Sequence, residues 1–136
     1  MYEPDLVVKK KGRPVVVIEA KSSPITTPSL REAATEQLRM YATDVSSPWS
    51  VMADPGTTEI FKTIDMSKPV ARLPTGEVVA SVGIPPSEVV GRRTLRMALN
   101  RWLTSLNRET AVVAGHPELS EFAEAVRDGV VSEGGQ

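Results

Sequence analysis

Glu19 and Lys21 are the two charged residues that close an otherwise apolar run, Val15-Val16-Val17-Ile18-Glu19-Ala20-Lys21. In an extended strand, residues two apart project from the same face, so this carboxylate and this ammonium stand side by side. Burying either charge is costly unless it is paired or bound to a metal, and a run this apolar would otherwise favour Val or Ile there. Asp5 opens the preceding apolar run, Asp5 to Val8, and if the two runs pair as neighbours the three charged groups meet at one place. Two carboxylates beside a lysine suit hydrolysis of a phosphodiester. Hard oxygen ligands favour Mg²⁺ or Mn²⁺, which polarises a phosphate and lowers the pKa of a bound water. The lysine then orients that water or stabilises charge developing on the phosphate. The plainer alternative is an ion pair at a strand end with Asp5 merely ending a turn, because a Glu-x-Lys tripeptide alone is common.

These residues need elements to position them. Asp5 to Val8 and Pro14 to Ala20 read as two strands joined by the charged turn Lys9 to Arg13, which contains Gly12, and the second strand, apolar on both faces, belongs in mid-sheet. The polar loop Ser22 to Pro28 stops it. Ser29 and Glu32 form a candidate capping box for a helix of about four turns ending before Ser46. Its apolar stripe takes in Leu30, Ala33, Ala34, Gln37, Leu38 and Tyr41. Gln37 and Tyr41, four apart, face the same way in the middle of that stripe, where polar groups need partners that a metal-carboxylate-phosphate cluster would supply. Trp49 to Ala53 and Thr58 to Ile64 flank the turn Asp54-Pro55-Gly56-Thr57 and read as a hairpin. Residues 69–86 read as irregular with one or two small strands. One helix is expected from near Ser87 to about Leu106, with Leu95, Leu99, Trp102 and Leu106 on its apolar stripe. Another follows His116-Pro117, with Leu119, Phe122, Ala123 and Val126 inward, and the tail from Ser132 reads as frayed.

Together, Pro4-Asp5, Glu19-Ala20-Lys21 and Gln37-Leu38-Arg39-Met40-Tyr41 resemble the PD-(D/E)xK signature and the following QxxxY motif of RecB-like nucleases. The likeness is greatest to the N-terminal nuclease domain of type I restriction enzyme motor subunits, and Trp49 to Phe61 is similar to the hairpin that follows QxxxY there. The match spans roughly residues 4–62. The resemblance implies a restriction-endonuclease-like α/β fold: a mixed β-sheet flanked by α-helices, here with additional C-terminal helices. It implies Asp5, Glu19 and the carbonyl of Ala20 as metal ligands for Mg²⁺ or Mn²⁺, and Lys21 as the catalytic lysine. Gln37 and Tyr41 would support the site or contact the backbone of a DNA substrate. Such domains usually carry a helix before the Pro-Asp strand, whereas Met1, Tyr2 and Glu3 stand there here. Two expectations follow: a homo-oligomer, dimer or higher, in which Glu3 and a partner subunit fill that side, or a reduced module of the same fold that binds DNA or serves assembly without cutting.

The 136 residues, 40% hydrophobic and 24% charged, fit one globular domain, 1–136, with core motifs in 4–62 and a helical extension at about 87–128. No cysteine is present, which excludes a disulfide framework and a thiolate metal site and suits a reducing interior. No apolar run is long enough to span a bilayer and no basic leader opens the chain, so the expectation is a cytoplasmic protein, cellular or phage-encoded, with no membrane partner. A net charge of −1 means that DNA contact must come from local patches. Lys9, Lys10, Lys11 and Arg13 form one. Arg92, Arg93, Arg96, Arg101 and Arg108 form another, with Arg93, Arg101 and Arg108 opposite the apolar stripe and Arg92 and Arg96 at its edge. For each patch the alternative is an ordinary solvated face. His116, before Pro117, reads as a helix-start residue rather than a ligand.

Overall fold

The chain is described by a computed structural model that covers residues 3–85, 91–106 and 115–133. Its centre is β2 (Arg13–Ala20), in which Val16, Val17 and Ile18 are completely buried, as a strand apolar on both faces must be. β1 (Leu6–Lys10) pairs with it antiparallel. The joining turn is only Lys11-Gly12, with φ of 51° and 77°. Two positive φ values in a two-residue turn match the twist of the flanking strands, at the expense of a strained lysine. Lys9, Lys10 and Arg13, expected in the turn, lie in the strands instead.

The chain then crosses through α1 (Pro28–Asp44) to β3 (Trp49–Ala53), which runs parallel to β2. α1 starts at Thr27, with Pro28 at the first helical position, and has no side-chain cap. The expected Ser29-Glu32 box is therefore not the cap, because a proline whose φ is already helical starts the helix two residues earlier, after Thr27. The hairpin to β4 (Thr57–Lys62) forms as expected, its turn held by Asp54 Oδ1, which accepts the N–H groups of Gly56 at 2.7 Å and Thr57 at 2.8 Å.

β5 (Ala71–Pro74) extends the sheet beyond β4 and leads into the short α2 (Thr75–Ala80), a helix not expected from the sequence. After it come α3 (Gly91–Ser105), a 3-10 turn (Pro117–Leu119), α4 (Ser120–Val126) and β6 (Val130–Glu133). β6 corrects the expectation of a frayed tail from Ser132: Val131 pairs with Val8 and Glu133 with Leu6, satisfying the other edge of β1. The six-stranded mixed sheet has the order β5-β4-β3-β2-β1-β6. The expected start of α3 near Ser87, residue Arg108 and the end of the tail lie outside the described residues.

The pleat sorts the core into two layers. Leu6, Val8, Val16, Ile18, Val51 and Ile60 face α2, α3 and α4, where Leu95, Leu99, Trp102 and Phe122 pack on them. Val7, Val17, Met52 and Phe61 face α1, which buries Leu38 and Ala42 against them. Gly129, between α4 and β6, lets the backbone close onto this sheet: a Cβ there would lie 2.6 Å from Val8 Cγ1 and 3.0 Å from the Val126 carbonyl. Among the described residues no helix is long and apolar enough to cross a membrane.

Candidate active site

The register of the first hairpin decides where the charged groups meet. Leu6 stands opposite Ile18, so the next step of the antiparallel pairing sets Asp5 opposite Glu19, both on the α1 side of the pleat. Asp5 donates its N–H to the Ile18 carbonyl at 2.9 Å, and its Oδ2 accepts the N–H of Ala20 at 2.8 Å. Glu19 Oε2 lies 3.2 Å from Lys21 Nζ. Asp5 and Glu19 are 7% and 6% exposed, while the lysine side chain keeps about a third of its surface open. The three residues expected to converge are therefore together at the C-terminal end of β2.

The strand also aims the backbone of Ala20. In a regular antiparallel pair a residue turns its N–H and its C=O toward the same neighbour. Lys21 donates its N–H to Ala53 of β3, whereas Ala20 donates toward β1 and Asp5. The Ala20 carbonyl thus faces the β1 side. Pro4, just before Asp5 in the chain, has no N–H to offer a neighbouring carbonyl.

Burial is the first cause of an unusual Glu19. It pushes the Glu19 carboxyl up to about 7, and the adjacent Asp5 carboxyl pushes in the same direction, while Lys21 opposes both. Asp5 Oδ1 lies 3.7 Å from Arg96 Nη1, and Arg96 Nε lies 3.9 Å from Glu133. Arg96 was visible in the sequence only as one of several arginines at the edge of α3, and nothing there tied it to Asp5.

Could these residues hold a divalent cation? Two adjacent buried carboxylates and the Ala20 carbonyl form an all-oxygen set that would suit Mg²⁺ or Mn²⁺ with water completing the shell. Among the described residues no group of three His, Cys, Asp or Glu side chains is placed to hold an ion, so an ion at Asp5 and Glu19 would need a backbone carbonyl or water to complete its shell.

The remaining expected site residues divide. Tyr41 is half-buried and packs on the Val7-Val17 layer, but Gln37 is exposed, which corrects its place on the inner face. α1 turns Leu38 and Ala42 to the sheet, and one residue back from Leu38 is about 100° around the helix. Leu30 leaves the stripe for the same reason, at 63% exposed. Gln37 instead lines a groove of about 410 Å³ whose other wall includes Lys21 and Ile25. Lys9, Lys10, Lys11 and Arg13 sit at the far end of the β1-β2 hairpin, about 15 Å from Asp5 at strand rise. Arg93 and Arg101 are exposed on α3, on the Asp5 side of the sheet edge.

A second buried charge cluster was not anticipated. Arg31 of α1 pairs with Glu59 and reaches Asp54 at 3.7 Å, and Arg72 holds Glu59 at 2.9 Å. Asp54 Oδ2 also accepts the N–H of Ile25 at 3.0 Å, tying the loop after Lys21 to the β3-β4 turn. His116 does what a helix-start residue can: Nε2 meets Glu77 at 2.7 Å and Nδ1 meets Glu118 at 3.2 Å, joining the 3-10 turn to α2.

Comparison of the chain with protein-family models, with curated proteins and with solved structures gives no match in any of the three.

Proposed function

We propose that the chain is a Mg²⁺-dependent nuclease of the PD-(D/E)xK type, with a restriction-endonuclease-like fold, that hydrolyses DNA phosphodiester bonds. One observation carries the reading: Asp5 is bonded to Ala20 at 2.8 Å while Glu19 and Lys21 sit 3.2 Å apart on the same strand end. Structural ion pairs also occur at strand ends, but they do not call for two adjacent buried carboxylates, Asp5 and Glu19.

Asp5, Glu19 and the Ala20 carbonyl would hold the ion, which supplies Lewis acidity at the phosphate and stabilises negative charge as the bond breaks. Lys21, partly open to solvent, has the position to hold a water or a phosphate oxygen beside Glu19. Attack by water on phosphorus forms one P–O bond and breaks another, and the released alkoxide takes up a proton. The Asp54-Arg31-Glu59 cluster fixes the loop from Ser22 to Pro28, and with it the helix that carries Gln37 beside Lys21. The absence of cysteine suits work in the cytoplasm.

The test is cleavage of plasmid and single-stranded DNA with Mg²⁺ or Mn²⁺ by wild type and by Asp5→Ala, Glu19→Ala and Lys21→Ala. The expected result is loss of at least 100-fold in each, on the order of one preorganised charged group removed from a transition state. Equal residual cleavage in all four proteins would sink the reading. A second reading, DNA binding without cutting, is favoured by Arg96, whose guanidinium beside Asp5 places a permanent cation at the site. Salt-sensitive binding with no cleavage in any divalent ion would select it.

A further inference from the structure

The α3 face beside Asp5 carries an unneutralised row of cations. Arg93 and Arg101 are exposed and have no ion-pair partner among the described residues. With Arg96, Asn100, Leu6 and Glu133 they line a groove of about 510 Å³. The helix turns Leu95, Leu99 and Trp102 into the core, and the opposite face is left to the arginines. Arg96 is the link, because it lines this groove and also reaches Asp5 Oδ1 at 3.7 Å. The groove and the carboxylate centre are therefore neighbours joined by one side chain.

We propose that this groove is the backbone-binding surface for a nucleic-acid strand, with Arg93 and Arg101 holding phosphates that flank the one at Asp5 and Glu19. The identification of the partner as nucleic acid rests on the nuclease reading. Arg93 and Arg101 are separated by eight residues, about 12 Å of helix axis. Laid along the axis of a B-DNA duplex, where one strand presents a charge every ~3.4 Å, that length matches three to four phosphates. The overall charge of −1 supplies no general attraction for a polyanion, so binding must be local to such a row. Glu133, the one acidic group on this groove, is faced by Arg96 at 3.9 Å. Arg96 is a positioning residue here: it can turn from Asp5 toward a phosphate without leaving the groove.

The experiment measures anisotropy of a fluorescein-labelled 20-nucleotide strand, single and as a duplex, with full-length protein in EDTA across a salt series. The variants are R93A/R101A, and K11A/R13A as a control with the same change of charge at the far end of the hairpin. R93A/R101A is expected to weaken binding at least tenfold and to lower the slope of log K against log salt by about 1.4 for the single strand or 1.8 for the duplex. K11A/R13A is expected to leave both unchanged. Equal effects of the two double variants, or no effect of either, overturns the assignment of this groove. In parallel, the rise in Tm on adding Mn²⁺ should be the same in wild type and R93A/R101A, since neither arginine is a ligand. Absence of that rise and of cleavage, with arginine-dependent binding retained, removes the nuclease reading and leaves the groove. Cleavage and a Mn²⁺ response with arginine-independent binding does the reverse.

Discussion

Glu19→Gln should make the metal-free protein more stable at pH 8 and leave it unchanged at pH 5. In the folded chain the Glu19 carboxyl is raised from 4.5 to about 7, chiefly by burial and secondarily by Asp5. Between those values the native state keeps a proton that the unfolded state has lost, so stability falls as pH rises through the window and levels off above it. Each unit is worth about 1.4 kcal/mol, which sets a ceiling of about 3 kcal/mol for the charge on Glu19. Lys21 lies close by and is partly open to solvent, so it can relax toward the anion, and about half of that ceiling is the working expectation. For a chain of this size that corresponds to a Tm difference of roughly 5 °C between variant and wild type at pH 8. The assay is thermal unfolding in EDTA at pH 5, 6, 7 and 8, read as the variant minus the wild type so that other titrating groups cancel. Millimolar Mn²⁺ at pH 8 should then raise the Tm of the wild type and not of the variant, reversing the order. A difference that stays flat from pH 5 to pH 8 would refute the argument that Glu19 is held as a buried acid beside Asp5.

Four further outcomes follow from particular contacts. Gly129→Ala forces a Cβ against Val8, which is 1% exposed and cannot yield, and should cost about 1–3 kcal/mol by denaturant unfolding. Lys11→Gly relieves a non-glycine residue at φ 51° and should stabilise the fold by up to about 1 kcal/mol while leaving DNA cleavage unchanged, since the turn is remote from Asp5. Arg31→Ala leaves buried Glu59 with Arg72 as its remaining partner and should lower stability by about 1–2 kcal/mol, a loss that Glu59→Gln in the same chain should partly restore. His116 has its pKa raised, first by its hydrogen bond to Glu77. Its contribution is thus fully present below the unfolded value near 6.5 and fades as pH rises through the folded value, so the Tm difference between wild type and His116→Ala should be larger at pH 6 than at pH 9.

What could be read from the sequence was what local chemistry dictates. β1 and β2 follow from Val-rich runs broken by Lys11-Gly12, and the β3-β4 hairpin from two short runs broken by Asp54-Pro55-Gly56, where the turn residues act on their own neighbours. The convergence of Asp5, Glu19 and Lys21 was legible for the same reason, since one hairpin register sets all three. β6 was not, because Val130 and Val131 are too few to stand out and their strand exists only by completing the open edge of β1. α2 holds Gly76 and two β-branched valines, poor helix formers, and it is the burial of Val78 and Val79 that makes it helical. Gln37 was misplaced because its helix can rotate by one position without breaking an apolar pattern that contains Ala33, Ala34 and Leu38. The Arg31-Asp54-Glu59 cluster joins residues more than 20 apart, and no periodicity reports on that.

The C-terminal half has a part at the site that its separate helical pattern conceals. Asp5 leads directly into β1, and β1 is gripped between β2 and β6, so the aspartate's position depends on the last strand described as well as on the first hairpin. α3 lies in the layer opposite α1, yet Arg96 passes the end of the sheet to reach Asp5, and β6 brings Glu133 within 3.9 Å of the same guanidinium. A strand end is the one location where both layers can touch a single carboxylate, because elsewhere the pleat assigns each residue to one face. The centre therefore belongs to the meeting of two layers, with α1 bringing Gln37 to the Lys21 side and α3 bringing arginines to the Asp5 side. The two grooves, one lined by Lys21 and Gln37 and the other by Arg93, Arg96 and Arg101, thus flank the end of β2 that carries Glu19, where the proposed reading places a polyanion.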